Sequence, residues 1–460
     1  MEEASSPILL VLQNISSFLW GWPLLILLLG THLYLTIILR FPQRHIFTAI
    51  KLYFNRDNAS KGDISGFSSL MIALAANIGA GNIIGMGVAL ATGGPGAIFW
   101  CWITGILGIA TRYGEGLLAS HYRVKNPNGE MSGGPMYYLE IGLKQKWLGI
   151  LFALFTAIAA FGIGNLTQGN AAADQLREVF AIPNWITALV LTGLTALVML
   201  GGVKGIAKMC ALFVPVMAAV YIIGCIVILG MQYEYVPTAI ACIFNSAFTS
   251  EAVVGGMLGT AILTALRTGV SRGLFSNEAG MGSAAIASAA AQTKNPVRQA
   301  LISSSGPFWD TVVICAMTGI VLTTSIIAHP HISHTDGHKL TSLAFGTIPY
   351  FGSGILTISL VTFTVSTILG WSYFGEKSLE YLGGIKLITP YRILWVIMVF
   401  IGCTSKIDIV WAFADCANAL MAAPNLIGLL GLSGILIQQT RYYLWENRLN
   451  ETADEDKLEK

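Results

Sequence analysis

The sequence predicts an all-α polytopic membrane protein with about eleven transmembrane helices, two of which are interrupted halfway across the bilayer. Three observations predict this fold class. Of the 460 residues, 54% are hydrophobic and only 11% are charged. Apolar runs long enough to cross a bilayer recur along the whole chain, and two of them contain glycine and asparagine at their centres. Such lengths and compositions are typical of helical membrane proteins.

The individual spans follow from apolar runs that end at charged residues, Pro or Asn. The predicted crossings are residues 18–40, 66–92, 95–120, 148–172, 184–202, 209–231, 255–290, 303–328, 354–376, 390–404 and 408–438. The first run is too long for a cleaved signal peptide and is followed by basic residues, so we expect it to be retained as a span.

Basic residues orient these spans. If the loop after the first span is cytoplasmic, most of the 26 Lys and Arg residues fall on the inner side, as in other membrane proteins. We therefore expect a multi-pass protein of the cell (inner or plasma) membrane, with the N-terminus outside and the C-terminus in the cytoplasm. The basic residues are scattered and form no patch, which argues against a nucleic-acid partner. No cofactor and no obligatory protein partner are predicted.

The second span carries an informative interruption. Its central segment, 76–85, contains three glycines and the two asparagines Asn77 and Asn82. Lipid offers no hydrogen bonds, so an unwound turn is tolerated only where it is buried in protein or faces a polar cavity. The freed carbonyl groups can bind a cation, and the freed N–H groups an anion. We therefore expect a binding site at this break.

The seventh span is interrupted in the same way. Its segment 273–283 contains three glycines together with Asn277 and Glu278. The second break lies five spans after the first, and because five is odd, the second block crosses the membrane in the opposite sense. This pattern predicts a 5+5 inverted repeat with two discontinuous helices. The predicted parts are an extra N-terminal helix and loop (1–65), the first repeat (66–231), the second repeat (232–440) and a cytoplasmic tail (441–460).

Glycine-rich spans also have a simpler explanation. Small residues allow helices to pack closely in many membrane bundles, and Gly85 and Gly87 fit that role. Packing alone does not require Asn77, Asn82 and Asn277 at membrane depth, where uncompensated polar groups are costly. We therefore favour the functional interpretation of the two breaks.

Four stretches resemble the alanine or glycine:cation symporter family, also called the sodium:alanine symporter family. They are residues 77–85, 93–108, 131–138 and 272–282. One departure is Cys101, which lies between two tryptophans where Met is more usual in the family. The resemblance covers nearly the whole chain, and it implies a LeuT-type fold with sodium-driven uptake of alanine, glycine or another small amino acid.

A zwitterionic amino acid needs an anion site and a cation site about 3 Å apart, and the ends of two half-helices can supply both from the backbone. We expect the substrate carboxylate at the N–H groups of Ala80, Gly81 and Asn82. The ammonium group then lies near the carbonyl oxygens of Asn77 and Phe275. The full set of candidate substrate-binding residues is Asn77, Gly79, Ala80, Gly81, Asn82, Gln168, Phe275, Ser276 and Trp371.

Three of these side chains are assigned with alternatives. Gln168 lies in a polar patch of the fourth span, where it bonds either the ligand or a neighbouring helix. Trp371 lies one turn after Thr367 and is expected to limit the size of the ligand. Phe275 precedes the second break and is a candidate for the same role, although aromatic residues in spans more often face lipid or the core.

The family resemblance also implies a sodium site, with sodium as the coupling ion. By similarity to LeuT-type carriers, the ion would bind the carbonyl oxygens of Ala75, Ile78 and Phe363. The hydroxyls of Ser366 and Thr367 would complete the site. Neutral oxygens suit a monovalent cation, whereas divalent sites rely on carboxylates. The alternative is that these hydroxyls only bond carbonyls of their own helix.

Several other polar residues have open roles. Arg112 and Glu115 are spaced i, i+3 and are expected to pair near the cytoplasmic end of the third span. Glu278 is expected to stabilise the second unwound turn by accepting backbone N–H bonds. Asp310 is an intramembrane acid and hence a functional candidate, with a structural role as the alternative. The histidines at 329–338 predict a solvated outer loop rather than a metal site.

The predicted function is sodium-coupled symport of a small neutral amino acid, alanine or glycine, into the cell by alternating access. The alternative is a proton-coupled carrier in which Asp310 or Glu278 titrates. An enzyme is disfavoured because the loops are short and carry no catalytic motif, so no catalytic residues are predicted. A channel is also disfavoured, and it would conduct faster than a carrier turns over.

Overall fold

Helices account for almost all of the architecture. The computed structural model describes residues 7–55, 62–249, 261–332 and 335–453. The helices of the first half are α1 (Pro7–Leu19), α2 (Trp22–Ile38), α3 (Ile46–Leu52), α4 (Gly66–Asn77), α5 (Met86–Gly93), α6 (Gly96–His121), α7 (Pro135–Tyr137), α8 (Lys146–Ala159), α9 (Thr167–Phe180), α10 (Asn184–Met199) and α11 (Gly202–Met231). Those of the second half are α12 (Val236–Phe248), α13 (Ala261–Asn277), α14 (Ala285–Ala289), α15 (Pro296–Pro307), α16 (Ala316–Ala328), α17 (Gly337–Phe345), α18 (Gly352–Gly383), α19 (Ile388–Thr404), α20 (Ile407–Gly431) and α21 (Ser433–Thr440).

Two small sheets and several non-α turns complete the described elements. The strands are β1 (Ile64–Ser65), β2 (Val124–Lys125), β3 (Met131–Ser132) and β4 (Ala291–Gln292). Strands β1 and β4 pair in parallel, and β2 and β3 pair antiparallel. The π-helical segments are Gly81–Gly85, Tyr138–Gly142, Ala160–Leu166, Phe308–Cys315 and Arg441–Trp445, and the 3₁₀ turns are Pro42–His45, Tyr233–Tyr235 and Ile385–Leu387.

Many of these helices are long and apolar enough to cross a membrane. In the described ranges, the unbent candidates are Lys146–Phe180, Gly202–Met231, Pro296–Ala328, Gly352–Gly383, Ile385–Thr404 and Asp408–Gly431. Two bent pairs also qualify, namely Pro7–Leu19 with Trp22–Ile38, at 44°, and Gly66–Asn77 with Gly81–Gly93, at 54°. The structure is therefore that of a multi-pass helical membrane protein.

The first predicted span differs from the observed helices. We expected one helix at 18–40, but α1 begins at Pro7 and a bend separates it from α2. Gly21 and Pro23 lie at this bend, and Pro ends a preceding helix because it lacks an N–H donor. The predicted start of the seventh span, residue 255, lies outside the described residues.

Helix α11 illustrates the surface expected of a membrane protein. Leu212 and Ile223 on this helix are 64% and 59% exposed, whereas Tyr221 and Cys225 are fully buried. Large apolar side chains at such exposure are unfavourable in water but are solvated by lipid tails. The helix therefore presents one face to lipid and the other to the protein.

The two interrupted helices run in opposite directions beside each other. Helix α4 contacts α14, and α5 contacts α13. Strand β1 leads into α4 and pairs with β4, which follows α14. The beginning of the first interrupted helix therefore lies beside the end of the second. This antiparallel crossing is the arrangement that an inverted repeat requires.

Gly370 lies where α18 approaches α4 most closely, and we expect Gly370→Ala to destabilise the protein. An added Cβ would lie 2.8 Å from the backbone nitrogen of Ala76, and overpacking of this kind costs about 1–3 kcal/mol. Gly354→Ala on the same helix is the matched control, because a Cβ there meets nothing within 4 Å. Thermal unfolding in detergent measures both variants, and equal stability of the two would contradict this packing.

Candidate functional site

The first break follows the end of α4 at Asn77. Ile78 has an extended backbone, with φ −78° and ψ 95°. Two side chains then bond the freed N–H groups: Asn82 Oδ1 accepts from Gly79 N at 2.9 Å, and Gln168 Oε1 accepts from Ala80 N at 3.0 Å. Protein groups thus replace the hydrogen bonds that lipid cannot provide.

The second break follows the end of α13 at Asn277. The backbone φ is positive at Glu278 (53°), Gly280 (89°) and Gly282 (83°), a conformation that favours glycine. Glu115 Oε1 accepts hydrogen bonds from the N–H groups of Gly280, at 2.9 Å, and Gly282, at 3.0 Å. A buried carboxylate therefore binds the N–H groups of the unwound segment.

Arg112 and Glu115 form the predicted ion pair. Arg112 Nη1 lies 3.3 Å from Glu115 Oε2, and both side chains are almost completely buried. Arg112 Nη2 donates to the carbonyl oxygen of Asn277 at 2.5 Å, and Asn425 Nδ2 donates to Glu115 Oε1 at 2.7 Å. Because α6 packs along α13, the pair lies at the second break.

Glu278 bonds side chains rather than the backbone. Its carboxylate accepts hydrogen bonds from Trp371 Nε1, at 3.1 Å, and from the Ser283 hydroxyl. The expectation that Glu278 accepts backbone N–H bonds was therefore wrong, since Glu115 takes that role. Trp371 is completely buried, and a Cβ at Gly164 would clash with it at 2.1 Å.

The two breaks are joined to each other. Asn77 Nδ2 donates to the carbonyl oxygen of Asn277 at 2.8 Å. A Cβ at Gly81 would lie 3.2 Å from the ring of Phe275. Asn77 Oδ1 is buried without a hydrogen-bond partner in the described part of the chain. The predicted substrate-binding residues on the two half-helices are thus brought together around one region.

Asp310 also connects the breaks. Its Oδ1 accepts from Asn82 Nδ2 at 2.6 Å, and its Oδ2 accepts from the Ser276 hydroxyl at 2.8 Å. Asn82 belongs to the first break, and Ser276 precedes the second. Asp310 itself lies on the π-helical segment Phe308–Cys315, a type of distortion that is frequent at functional sites.

The predicted sodium ligands converge on the hydroxyl of Thr367. Its Oγ1 lies 2.8 Å from the carbonyl oxygen of Ala75, 3.1 Å from that of Ile78 and 2.9 Å from that of Phe363. The Ser366 hydroxyl donates to the same Phe363 carbonyl at 2.8 Å, and it also faces a methionine sulfur of α11. The ninth predicted span and the first break therefore share a cluster of neutral oxygens.

Substrate and ion candidates are neighbours at Gly79. A Cβ on Gly79 would lie 2.7 Å from Thr367 Oγ1 and 2.9 Å from Gln168 Oε1. Any side chain here would have to displace both groups, so glycine is required by the close approach. Gln168 therefore bonds the first break, which is the interhelical alternative left open by the sequence.

A layer of aromatic and charged groups packs against Phe275. Trp411 stacks on Phe275 with ring centroids 5.5 Å apart, and the Arg272 guanidinium lies over both rings. Arg272 also forms a two-point ion pair with Asp415, at 2.7 and 3.1 Å. Burial lowers the pKa of His338, whose ring contacts Trp411, so His338 adds no charge to this layer at neutral pH.

Sequence reasoning missed the contributions of α20. Trp411, Asp415 and Asn425 each contact one of the breaks or the residues around them. The only available signal was the presence of polar residues within an apolar run, which does not identify their partners. Those partners are more than a hundred residues away in sequence.

The comparison with known proteins identifies the family. The model of the sodium:alanine symporter family matches residues 6–457. The chain belongs to the sodium:alanine symporter family. It is therefore a transporter and not an enzyme, and the family supports sodium-coupled symport of an amino acid. This agrees with the resemblance found in the sequence.

Curated relatives cover most of the chain. The protein is 49% identical to the sodium/alanine symporter AgcS of Methanococcus maripaludis over 96% of this chain and 99% of that protein. It is 36% identical to the probable sodium/glutamine symporter GlnT of Bacillus subtilis over 93% and 89% of the two chains.

Solved structures confirm the LeuT-type fold. The structure of MhsT in complex with L-phenylalanine matches with a TM-score of 0.60 and 14% identity over 81% of this chain and 90% of that one. A sodium-coupled sialic acid symporter matches with a TM-score of 0.52 and 10% identity over 84% and 82%. At these identities the likeness concerns the fold alone.

We expect Glu115→Gln to destabilise the protein by about 3–5 kcal/mol, because breaking a buried ion pair leaves the Arg112 charge uncompensated. Glu178→Gln is the control, since Glu178 is exposed and surface changes are usually worth less than about 0.5 kcal/mol. Thermal unfolding in detergent is the measurement. A melting temperature equal to that of the parent would refute the proposed support of the second break.

Proposed function

We propose that this protein carries alanine or glycine into the cell together with sodium by alternating access. The observation that carries the proposal is the cluster of carbonyl oxygens of Ala75, Ile78 and Phe363 around the Thr367 hydroxyl. The name of the AgcS relative supports the same cargo, alanine with sodium. In this proposal the repeats 66–231 and 232–440 are the two halves that rearrange around the site.

Sodium binds between the first break and α18. The three carbonyl oxygens and the hydroxyl oxygens of Thr367 and Ser366 are neutral ligands of the kind that suits a monovalent cation. In the structure the Thr367 hydroxyl occupies the centre of the carbonyl cluster by donating a hydrogen bond. Rotation of this hydroxyl, so that its oxygen faces the cluster, turns it from a hydrogen-bond donor into the fifth oxygen ligand without moving the backbone.

The amino acid binds between the two breaks. Its carboxylate replaces Gln168 Oε1 as the acceptor for the N–H of Ala80. This replacement requires a short displacement of the Gln168 side chain. Its ammonium group is placed at Asn77 Oδ1, a buried acceptor without a partner among the described residues. The ligand ammonium thus gains an acceptor that is unpaired among the described residues, and the ligand carboxylate takes the place of the Gln168 amide oxygen.

Small side chains are selected by the walls of this region. Phe275 lies against Gly81, and Trp371 is fully buried one turn after Thr367. Bulky side chains at both positions are expected to limit the size of the ligand side chain, and a pocket that discriminates against one extra methylene is worth about 1–3 kcal/mol. This supports alanine or glycine over larger amino acids.

The electrical gradient can drive uptake. The proposed orientation has the N-terminus outside and the C-terminus inside, as the basic residues favour. One sodium ion moving inward gains about 2.3 kcal/mol per 100 mV of membrane potential. Coupling requires that the protein changes state when both ligands are bound. In this orientation the layer formed by Arg272, Phe275, Trp411 and Asp415 closes the outer side of the site.

Uptake into proteoliposomes tests the proposal. Radiolabelled L-alanine should accumulate when sodium is imposed outside and should not accumulate when choline replaces sodium at fixed pH. Competition by unlabelled glycine, D-alanine, glutamine and leucine then ranks the substrates. Accumulation that is equal in sodium and choline would reject sodium coupling.

Thr367→Ala should raise the sodium concentration for half-maximal uptake by roughly tenfold or more, because it removes one oxygen ligand of the ion, a loss taken as comparable to that of a hydrogen bond to a charged group, about 1.5–3 kcal/mol. Thr367→Ser retains the hydroxyl and should be close to the parent. Thr362→Ala is the matched control, since the Thr362 hydroxyl bonds only carbonyls of its own helix. Unchanged sodium dependence in Thr367→Ala would remove this ion site.

Trp371→Ala should admit larger amino acids, because it removes a fully buried indole beside the proposed pocket. Leucine, which should compete weakly with labelled alanine in the parent, should then compete strongly. Trp185→Ala serves as the control, since that indole is 57% exposed. Selectivity identical to that of the parent would contradict the size-limiting role of Trp371.

A further inference from the structure

Asp310 is a completely buried carboxylate with an unusual set of neighbours. Three donors reach it: Asn82 Nδ2 at 2.6 Å, the Ser276 hydroxyl at 2.8 Å and the Thr311 hydroxyl at 2.7 Å. Among the described residues, no salt bridge joins Asp310 to a basic side chain, since Arg112 is engaged by Glu115 and Asn277. A carboxylate charge at membrane depth is costly, and a proton bound to Asp310 would neutralise it.

The neighbours of Asp310 suit a proton rather than a metal ion. Asn82 Oδ1 is already used by the N–H of Gly79 at 2.9 Å, which fixes the amide so that its N–H points at Asp310. A thiol, Cys315 Sγ, lies 3.3 Å from the same amide nitrogen. A metal ion would face an N–H group and a sulfhydryl where it needs oxygen acceptors.

The Ser276 hydroxyl provides the acceptor that a protonated carboxyl needs. It lies 2.8 Å from Asp310 and 3.2 Å from Cys315 Sγ. When Asp310 is ionised, the hydroxyl donates to the carboxylate. When Asp310 carries a proton, the hydroxyl accepts from it and turns its own hydrogen toward the sulfur. The Thr311 oxygen already accepts from Asn277 Nδ2 at 3.1 Å, which leaves it one lone pair for a further donor.

We propose that Asp310 is a proton-binding site between the two breaks, and that it takes up a proton when the amino acid binds. The inference rests on the proposed substrate position. A ligand carboxylate that binds the N–H of Ala80 acts beside Gly79, whose N–H fixes the Asn82 amide that donates to Asp310. When that amide turns away, Asp310 loses a donor, and a proton from solvent then forms an O–H bond on Asp310 and neutralises it.

Other ionisable groups surround this site, and one of them, Cys315, also contacts Asn82 and Ser276. They are Cys101 and Arg112 on α6, Glu115 beside Arg112, Glu278 at the second break, and Cys315 on the same distorted helix as Asp310. Glu278 is bonded by Trp371 and Ser283, and Glu115 binds the unwound backbone. Among the described residues, neither Glu278 nor Glu115 bonds Ser276, whose hydroxyl donates to Asp310.

Calorimetric titration with L-alanine tests the proposal on the full-length protein in detergent with sodium chloride. Titrations at one pH in two buffers of different ionisation enthalpy count the protons taken up per alanine bound, and they are repeated at several pH values. The parent should take up a proton over part of the pH range, and Asp310→Asn should bind alanine with none. The exposed control Glu178→Gln should behave as the parent.

Three results would overturn the inference. The first is a parent that takes up no proton at any pH. The second is an Asp310→Asn variant with the proton uptake of the parent and an unchanged number of sodium ions bound per alanine. The third is the same proton uptake in Asp310→Asn with a smaller number of sodium ions bound per alanine. If Asp310→Asn does not fold, Asp310→Glu replaces it and should shift the pH range of proton uptake; an unshifted range would overturn the inference. Alanine binding that is equal in sodium and choline would instead reject the proposed function.

Discussion

The constraint on which this structure depends is the need to hydrogen-bond an unwound backbone inside a membrane. Both interrupted helices expose N–H and carbonyl groups that lipid cannot satisfy. The protein supplies partners from other helices: Gln168 and Asn82 at the first break, and Glu115 with Arg112 at the second. The two sites differ in rigidity, because the first is bonded by neutral amides whereas the second is held by a buried ion pair. The first break is therefore the one whose bonds a ligand can replace at low cost.

The sequence was sufficient to locate both breaks, since Gly and Asn within an apolar run violate the composition of an ordinary span. It was also sufficient to predict that Ala75, Ile78, Phe363 and Thr367 lie together, although this came from the family resemblance. Bonding partners were harder to predict. Local spacing paired Arg112 with Glu115 correctly, but it did not predict that the pair lies at the second break, which follows from the packing of α6 against α13. The roles of Asn425 and Trp411 arise from contacts between distant segments, which leave no periodic signal in either segment.

The proximity of the ion and substrate candidates gives a physical basis for coupling. Gly79 lies between the Thr367 hydroxyl and Gln168, and a single carbon atom would touch both. An ion that reorients Thr367 and a solute that displaces Gln168 therefore act on the same short stretch of backbone. No long chain of intermediates has to be invoked, because the two ligands share a neighbour.

The parallel ladder between β1 and β4 has a mechanical consequence. Ile64 pairs with Ala291 and Ser65 with Gln292. Main-chain hydrogen bonds therefore join the segment before α4 to the segment after α14. Because this pairing joins α4 and α14 at one end, we expect these two half-helices to move together, whereas α5 and α13 lie outside the pairing. Any rearrangement that accompanies transport would then act on both half-helices at once.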